Sequence, residues 1–154
     1  MPGLEDLYRE IILDHYRTPR NRGELPPPAA HAVGHNPLCG DEIDVYLQIE
    51  DDVVTDVKVG GQGCSISQSS ASMMSQAVKG KTVDEVRALT HRFKGLMSIE
   101  DAEDVDESVK LGDLEALQGV VKFPVRIKCA TLGWNTLTQA LAEAEAGASA
   151  DADA

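Results

Sequence analysis

The chain has 154 residues, of which 42% are hydrophobic and 26% are charged, and this composition predicts one soluble globular domain with a hydrophobic core. Its formal net charge of −12 argues against nucleic-acid binding, because phosphates require a basic surface. No apolar run approaches the roughly 18 residues of a membrane span. The first residues lack the pattern of a signal peptide, so we expect a cytoplasmic protein without a membrane partner.

Apolar residues at steps of three and four predict an amphipathic helix over residues 4–15. His15 closes its apolar stripe and is expected to be a half-buried packing residue. Residues 18–38 hold five of the seven prolines, which predicts an extended loop. His31 and His35 fall in this segment, and we expect them to be loop histidines rather than metal ligands.

Apolar and polar residues then alternate over 43–49 and again over 53–59, which predicts a β-hairpin. The two ends of an antiparallel hairpin are neighbours. Cys39 and Asp41, just before the first arm, and Cys64, just after the second, are therefore expected to meet at its open end.

A glycine-rich stretch, residues 60–63, leads from the second arm into a helix that begins at or just after Cys64. The unpaired N–H groups and the macrodipole at a helix N-terminus favour a negative group, so this position favours a thiolate at Cys64. A thiolate held in this way can bind a metal or carry sulfur.

The second half of the chain is predicted to be mainly helical. Thr82–Glu85 forms a capping box that begins one helix, and a last helix is predicted from Pro124. Residues 100–108 are strongly acidic and are expected to form a solvated loop or insertion. We predict a single domain over residues 1–144, followed by a disordered acidic, Ala-rich tail over 145–154.

Three cysteines cannot close a full disulfide framework, and in a cytosolic chain they point to metal binding or thiol chemistry. Arg126 lies three residues before Cys129 on the last predicted helix and would favour a thiolate there. With Asp41, the sulfurs of Cys39, Cys64 and Cys129 make four ligands, a number that suits tetrahedral zinc. The alternative is that all three cysteines are small core residues and that Arg126 is an ordinary surface arginine.

Several motifs together resemble the U-type iron–sulfur assembly proteins, and the similarity covers about residues 4–141. The motifs are Leu7-Tyr8-Arg9-Glu10-Ile11-Ile12-Leu13-Asp14-His15-Tyr16, Asn36-Pro37, Cys39-Gly40-Asp41, Gly61-Gln62-Gly63-Cys64-Ser65-Ile66-Ser67 and Arg126-Ile127-Lys128-Cys129. The resemblance implies an α+β fold, with a small antiparallel sheet of about three strands packed against several helices.

Two features place the resemblance with the SufU branch of this family. The IscU branch, the cluster scaffolds, has a histidine directly before its third cysteine, where this chain has Lys128. The SufU branch lacks that histidine and carries an insertion between the second and third cysteines, and the acidic residues 100–107 fit such an insertion.

The SufU resemblance implies one zinc ion bound by Cys39, Asp41, Cys64 and Cys129. It also implies a partner, a cysteine desulfurase of the SufS type, whose persulfide sulfur passes to Cys39 and is relayed to a cluster-building complex of the SufBCD type. Arg126 is expected to assist by pairing with Asp41 or with a released thiolate. Such a protein is a sulfurtransferase-like relay; the alternative is a scaffold on which an iron–sulfur cluster is assembled.

Overall fold

The computed structural model describes residues 2–26, 29–37, 40–97 and 111–153, with the backbone alone for 2–6 and 146–153. It contains a three-stranded antiparallel sheet packed against helices, so the predicted α+β fold is confirmed. The elements in chain order are α1 (Pro2–Arg17), β1 (Ala30–Asn36), β2 (Asp41–Glu50), β3 (Val53–Gln62), α2 (Ser65–Val78), α3 (Val83–Leu96), a 3-10 helix (Gly112–Lys122) and α4 (Pro124–Asp153).

The predicted hairpin is present as β2 and β3, which pair antiparallel with Val45 opposite Val59. The two-residue turn consists of Asp51 and Asp52, both of which have positive φ, 52° and 63°. This combination matches the right-handed twist of the flanking strands, and Asp is among the residues that tolerate it. The alternation of buried and partly exposed residues along β2 is the one that the sequence predicts.

The resemblance implies about three strands, but the residues of the third strand, β1, were not predicted. This strand pairs antiparallel with β2 from Ala30 opposite Leu47 to Asn36 opposite Asp41, inside the segment for which the prolines predict a loop. That prediction is wrong for these seven residues, because every proline of the segment lies outside the strand.

The two histidines of the predicted loop therefore lie on β1, and the side chains of both are exposed. His31 stacks on Tyr46 with ring centroids 4.1 Å apart, and its Nε2 lies 3.0 Å from Asp44 Oδ1. Within the described residues, neither His31 nor His35 belongs to a group that could hold a metal ion.

The core forms where α4 packs across β1 and β2 while α2 packs against β3, α4 and α1. Trp134 of α4 is fully buried and stacks on Phe93 of α3, with ring centroids 4.9 Å apart. Ala130, Leu137 and Leu141 of α4 are buried as well, and so are Met73 and Met74 of α2.

His15 is fully buried, so the prediction of a half-buried packing residue is wrong. Its Nδ1 lies 2.8 Å from Ser72 Oγ on α2, and its Nε2 lies 2.9 Å from Asp113 Oδ2 on the 3-10 helix. Because both ring nitrogens have partners, burying the ring does not leave a polar atom unsatisfied.

The last helix continues to Asp153, through the residues for which the composition predicts disorder. Alanine has the highest intrinsic helix propensity, which favours a helical backbone in this Ala-rich stretch. The division into a domain over 1–144 and a tail stays a prediction, and the acidic residues 100–108 lie outside the described part.

In the described ranges, no helix has the length and apolar character needed to cross a bilayer.

Candidate metal centre

Asp41 is presented by the tight connection between β1 and β2. The N–H of Gly40 donates to the carbonyl of Asn36 at 2.8 Å, and Gly40 has a φ of 71°, a left-handed conformation that glycine adopts without a Cβ clash. Asp41 then begins β2 with only 2% of its surface exposed. A carboxylate buried to this extent requires hydrogen-bond donors or a cation.

Cys64 occupies the N-cap of α2, at the end of β3, as the sequence predicts. Its own N–H donates to Asp41 Oδ1 at 2.8 Å, which ties the start of β2 to the start of α2. Its sulfur accepts from the N–H of Ser67 at 3.5 Å, so the helix terminus supplies a donor to this thiol. The thiol is partly exposed, unlike the carboxyl group that it faces.

Cys129 lies on α4 and is fully buried. Its Sγ is 3.8 Å from the side-chain nitrogen of Asn36, the last residue of β1. Ligand atoms of Asp41, Cys64 and Cys129 all lie within 4.8 Å of one another. Three elements that are distant in sequence thus converge on one point, and the three residues form what we call the acceptor cluster.

The donor chemistry of the acceptor cluster fits zinc. Thiolates and carboxylates are the ligands that zinc takes in tetrahedral sites, and a Zn–S distance of about 2.3 Å implies ligand atoms about 3.8 Å apart. The observed separations are compatible with a small inward adjustment around one ion. Three ligands leave a fourth tetrahedral position, for which the sequence predicts Cys39. That residue lies outside the described part of the chain, so its role stays a prediction.

Arg126 lies in the first turn of α4 and is exposed, whereas Cys129 on the same helix is buried. Its side chain lines the same cleft as Cys64. Its expected pairing with Asp41 or with a thiolate stays a prediction.

Sequence reasoning missed a clamp around the Cys64 segment. Arg22 donates through Nη2 to the carbonyl of Gly61 at 2.6 Å and through Nη1 to Gln68 Oε1 at 3.1 Å. The guanidinium therefore links the end of β3 to the first turns of α2 on either side of Cys64. No local pattern could have identified Arg22, because its partners are 39 and 46 residues away in sequence.

A cleft of about 1110 Å³ opens beside the acceptor cluster, between α1, the 3-10 helix and the start of α4. Cys64, Ser65 and Arg126 are among its lining residues. Of the three members of the acceptor cluster, Cys64 lines the cleft and is partly exposed, whereas Asp41 and Cys129 are buried.

The sequence profile of the NifU-like N-terminal domain family matches residues 7–130. The chain belongs to the NifU-like N-terminal domain family. This NifU-like chain is 46% identical over 145 residues to the zinc-dependent sulfurtransferase SufU of Bacillus subtilis. The alignment covers 94% of this chain and 96% of that protein. It is 38% identical over 138 residues to the iron–sulfur cluster assembly scaffold protein IscU of Streptococcus pyogenes, covering 90% and 84% of the two chains.

A crystal structure with the same fold is that of FiSufU from Fervidobacterium islandicum AW-1, which is described as an iron–sulfur cluster assembly scaffold protein for the SUF system. It superposes on the NifU-like chain with a TM-score of 0.78 at 33% sequence identity, covering 86% of this chain and 94% of the other. The resemblance read from the motifs is thereby confirmed in both sequence and fold.

Proposed function

We propose that this NifU-like protein is a zinc-dependent sulfur acceptor, which takes persulfide sulfur from a SufS-type cysteine desulfurase and relays it to the cluster-building machinery. The observation that carries the proposal is the convergence of two thiols and one buried carboxyl group within 4.8 Å. The name of the Bacillus relative, a zinc-dependent sulfurtransferase, supports the same activity. The site of action is the cytoplasm.

The protein's own groups would hold zinc and order its ligands. Asp41, Cys64 and Cys129 would bind it together with Cys39, and the N–H of Ser67 would stabilise charge on the Cys64 sulfur. One zinc ion, when bound, would supply a redox-inert positive charge that keeps its sulfur ligands as thiolates.

The proposed transfer is a thiol–persulfide exchange at Cys39. The Cys39 thiolate attacks the outer sulfur of the desulfurase persulfide, and a new S–S bond forms as the donor's S–S bond breaks. The electron pair of the broken bond leaves on the desulfurase cysteine as a thiolate. Because sulfur moves without a net change in oxidation state, the step needs no oxidant or reductant.

A scaffold for cluster assembly is the second candidate, and the names of the IscU relative and of FiSufU both support it. Lys128 argues against it, since the histidine that the scaffold branch carries at this position is absent. Anaerobic reconstitution with iron and sulfide separates the two functions. A cluster retained at stoichiometric level after gel filtration would support the scaffold and contradict the acceptor.

The direct test combines metal analysis with desulfurase turnover measured in the presence and absence of the protein. We expect stoichiometric zinc and a large stimulation of turnover, which Cys39→Ala removes because the acceptor thiol is gone. If Cys39→Ala stimulates the desulfurase as well as the unmodified protein does, the sulfur-acceptor function is wrong and zinc has a structural role alone.

A further inference from the structure

We propose that the cleft beside Cys64 is a docking site for an acidic polypeptide segment with a large apolar side chain, carried by the protein that delivers sulfur. The inference rests on the proposed function, because it assigns that function a partner-binding surface. The surface is the end of the 3-10 helix, the start of α4 and the facing side of α1.

The first argument is charge. Arg9 from α1, Lys122 from the 3-10 helix and Arg126 from α4 all line the cleft, and among its described lining residues there is no aspartate or glutamate. The whole chain has 26 acidic residues against 14 lysines and arginines. A wall of three cations from three elements is therefore a local reversal of the protein's charge, and it complements an acidic ligand.

Two of these cations, Arg9 and Lys122, are available to a partner. Within the described part of the chain, Arg9 and Lys122 make no hydrogen bond or ion pair with another side chain. A bound carboxylate would therefore not displace an existing intramolecular partner at these two positions.

The second argument is apolar exposure at the same place. Phe123 is 62% exposed and Val125 is 59% exposed, and both line the cleft beside buried or half-buried apolar residues such as Ile66 and Val120. Large apolar groups exposed together mark interaction sites, and an aromatic side chain among cations is typical of a protein interface. A volume of about 1110 Å³ slightly exceeds that of most small-molecule sites, which favours a polypeptide segment.

The third argument is continuity with the metal centre. Because Cys64 and Ser65 line the cleft, a segment bound there is held beside the acceptor cluster. Such positioning turns sulfur transfer into a reaction within one complex.

The experiment titrates the cysteine desulfurase with the zinc-loaded double variant Arg9→Glu/Lys122→Glu and measures both turnover and direct binding by calorimetry. We expect the half-saturating concentration to rise about tenfold or more, and the effect to shrink at high ionic strength. Zinc content and melting temperature are expected to stay at their original values, since both side chains lie on the surface of the cleft. Phe123→Ser should raise the half-saturating concentration several-fold with no salt dependence of its own.

The matched control is Lys79→Glu/Lys81→Glu, which changes the net charge by the same amount at the opposite end of α2, about 21 Å from Cys64. If both double variants raise the half-saturating concentration equally, the effect comes from net charge and the proposal of a docking site in the cleft is wrong. If the substitutions instead dissociate a dimer of the protein, the cleft binds a second copy and the proposal is overturned. If the unmodified protein accepts no sulfur at all, the proposed function fails first and the docking site falls with it.

Discussion

Two buried polar clusters involve α2, about 12 Å apart along the helix, and they differ in how their buried polar atoms are satisfied. The acceptor cluster includes Cys64 at the N-cap, and the second cluster includes Ser72 two turns later. We call the second the histidine network; its members are His15, Ser72 and Asp113. Both join elements that are distant in sequence.

The histidine network is complete without a ligand. An imidazole can donate at one nitrogen and accept at the other, and it lies between a hydroxyl group and a carboxylate. The Ser72 oxygen also accepts the backbone N–H of Arg20 at 2.8 Å. The Asp113 side chain is 42% exposed, so water can solvate the rest of its charge.

The acceptor cluster is different because, when ionised, its side chains can only accept. The Asp41 carboxylate receives the N–H of Cys64, and the Cys129 sulfur receives the Asn36 amide, and none of the three ligand side chains can itself carry a positive charge. The comparison teaches that convergent acceptors imply a cation, whereas alternating donors and acceptors imply a structural role. The predictions below test this distinction.

The largest effect is expected from Asp41→Ala, which should abolish zinc binding and lower the stability measured in the presence of zinc. At a free zinc concentration a thousandfold above Kd, binding contributes about 4 kcal/mol. That contribution corresponds to about 8–16 °C in melting temperature for a chain of this size. Metal analysis and thermal unfolding with and without a chelator measure both quantities.

Asp41→Asn is the matched control, because its amide oxygen can still accept the Cys64 N–H while the negative charge is lost. It should bind zinc far more weakly than the unmodified protein but unfold like it in chelator. Stoichiometric zinc in Asp41→Ala would show that Asp41 is not a ligand.

The next largest effect is expected from His15→Leu. The substitution removes both hydrogen bonds and changes the shape of a fully buried site, and it should cost about 2–3 kcal/mol. The cost should be the same with zinc and with chelator, since distant sites add within about 0.5 kcal/mol. Urea unfolding under both conditions measures it.

Asp113→Asn is the milder companion, because its amide oxygen can still accept from His15. Its cost should stay below about 1 kcal/mol. A zinc-dependent cost for His15→Leu would mean that the two clusters are coupled, and the contrast between them would then fail.

The parts of the fold that follow from local patterns could be predicted from the sequence. The hairpin, the N-cap at Cys64 and the capping box at Thr82 each depend on residues close together in the chain. Strand β1 could not, because its two buried positions are Ala32 and Asn36 and carry no large apolar side chain. A Cβ on Gly34 would run into Thr136 and Leu132, so the close packing of α4 requires a small residue and removes the alternating pattern of a strand.

The candidate site also has some features that the sequence predicts and others that only the folded structure shows. Three of the predicted ligands could be placed from the hairpin geometry and the family motifs, and the structure brings Asp41, Cys64 and Cys129 together. The hydrogen bond from Asn36 to Cys129 spans 93 residues, and the Arg22 clamp is comparably long-range. Such contacts are set by how whole elements pack, so no sequence window contains them.

A smaller effect is expected from Asn36→Leu, which keeps the volume of the side chain but removes the donor to the Cys129 sulfur. Hydrogen bonds to metal ligands typically change metal affinity by about 10–100-fold. We expect zinc affinity to fall by about tenfold, the lower end of that range, because the contact from the Asn36 amide to the Cys129 sulfur is 3.8 Å long. Competition with a chromophoric chelator measures it, and an unchanged zinc affinity would remove Asn36 from the site.

The smallest effect is expected at the exposed capping box of α3, which belongs to neither buried cluster. The backbone N–H of Thr82 donates to the Glu85 carboxylate at 3.1 Å, and this bond lowers the pKa of Glu85 below its ordinary value of 4.5. A carboxyl group whose pKa is lowered in the folded state stabilises the fold at pH values above its ordinary pKa. That stabilisation is lost as the pH falls through the folded-state pKa.

The unmodified protein should therefore be slightly more stable than Glu85→Gln at neutral pH, and the difference should vanish as the pH falls through the lowered pKa of Glu85. Measuring the melting temperatures of both proteins in chelator between pH 3 and 7 keeps zinc binding out of the comparison. A difference that persists at pH 3 would come from packing or from the amide itself, because the ionised carboxylate is then gone.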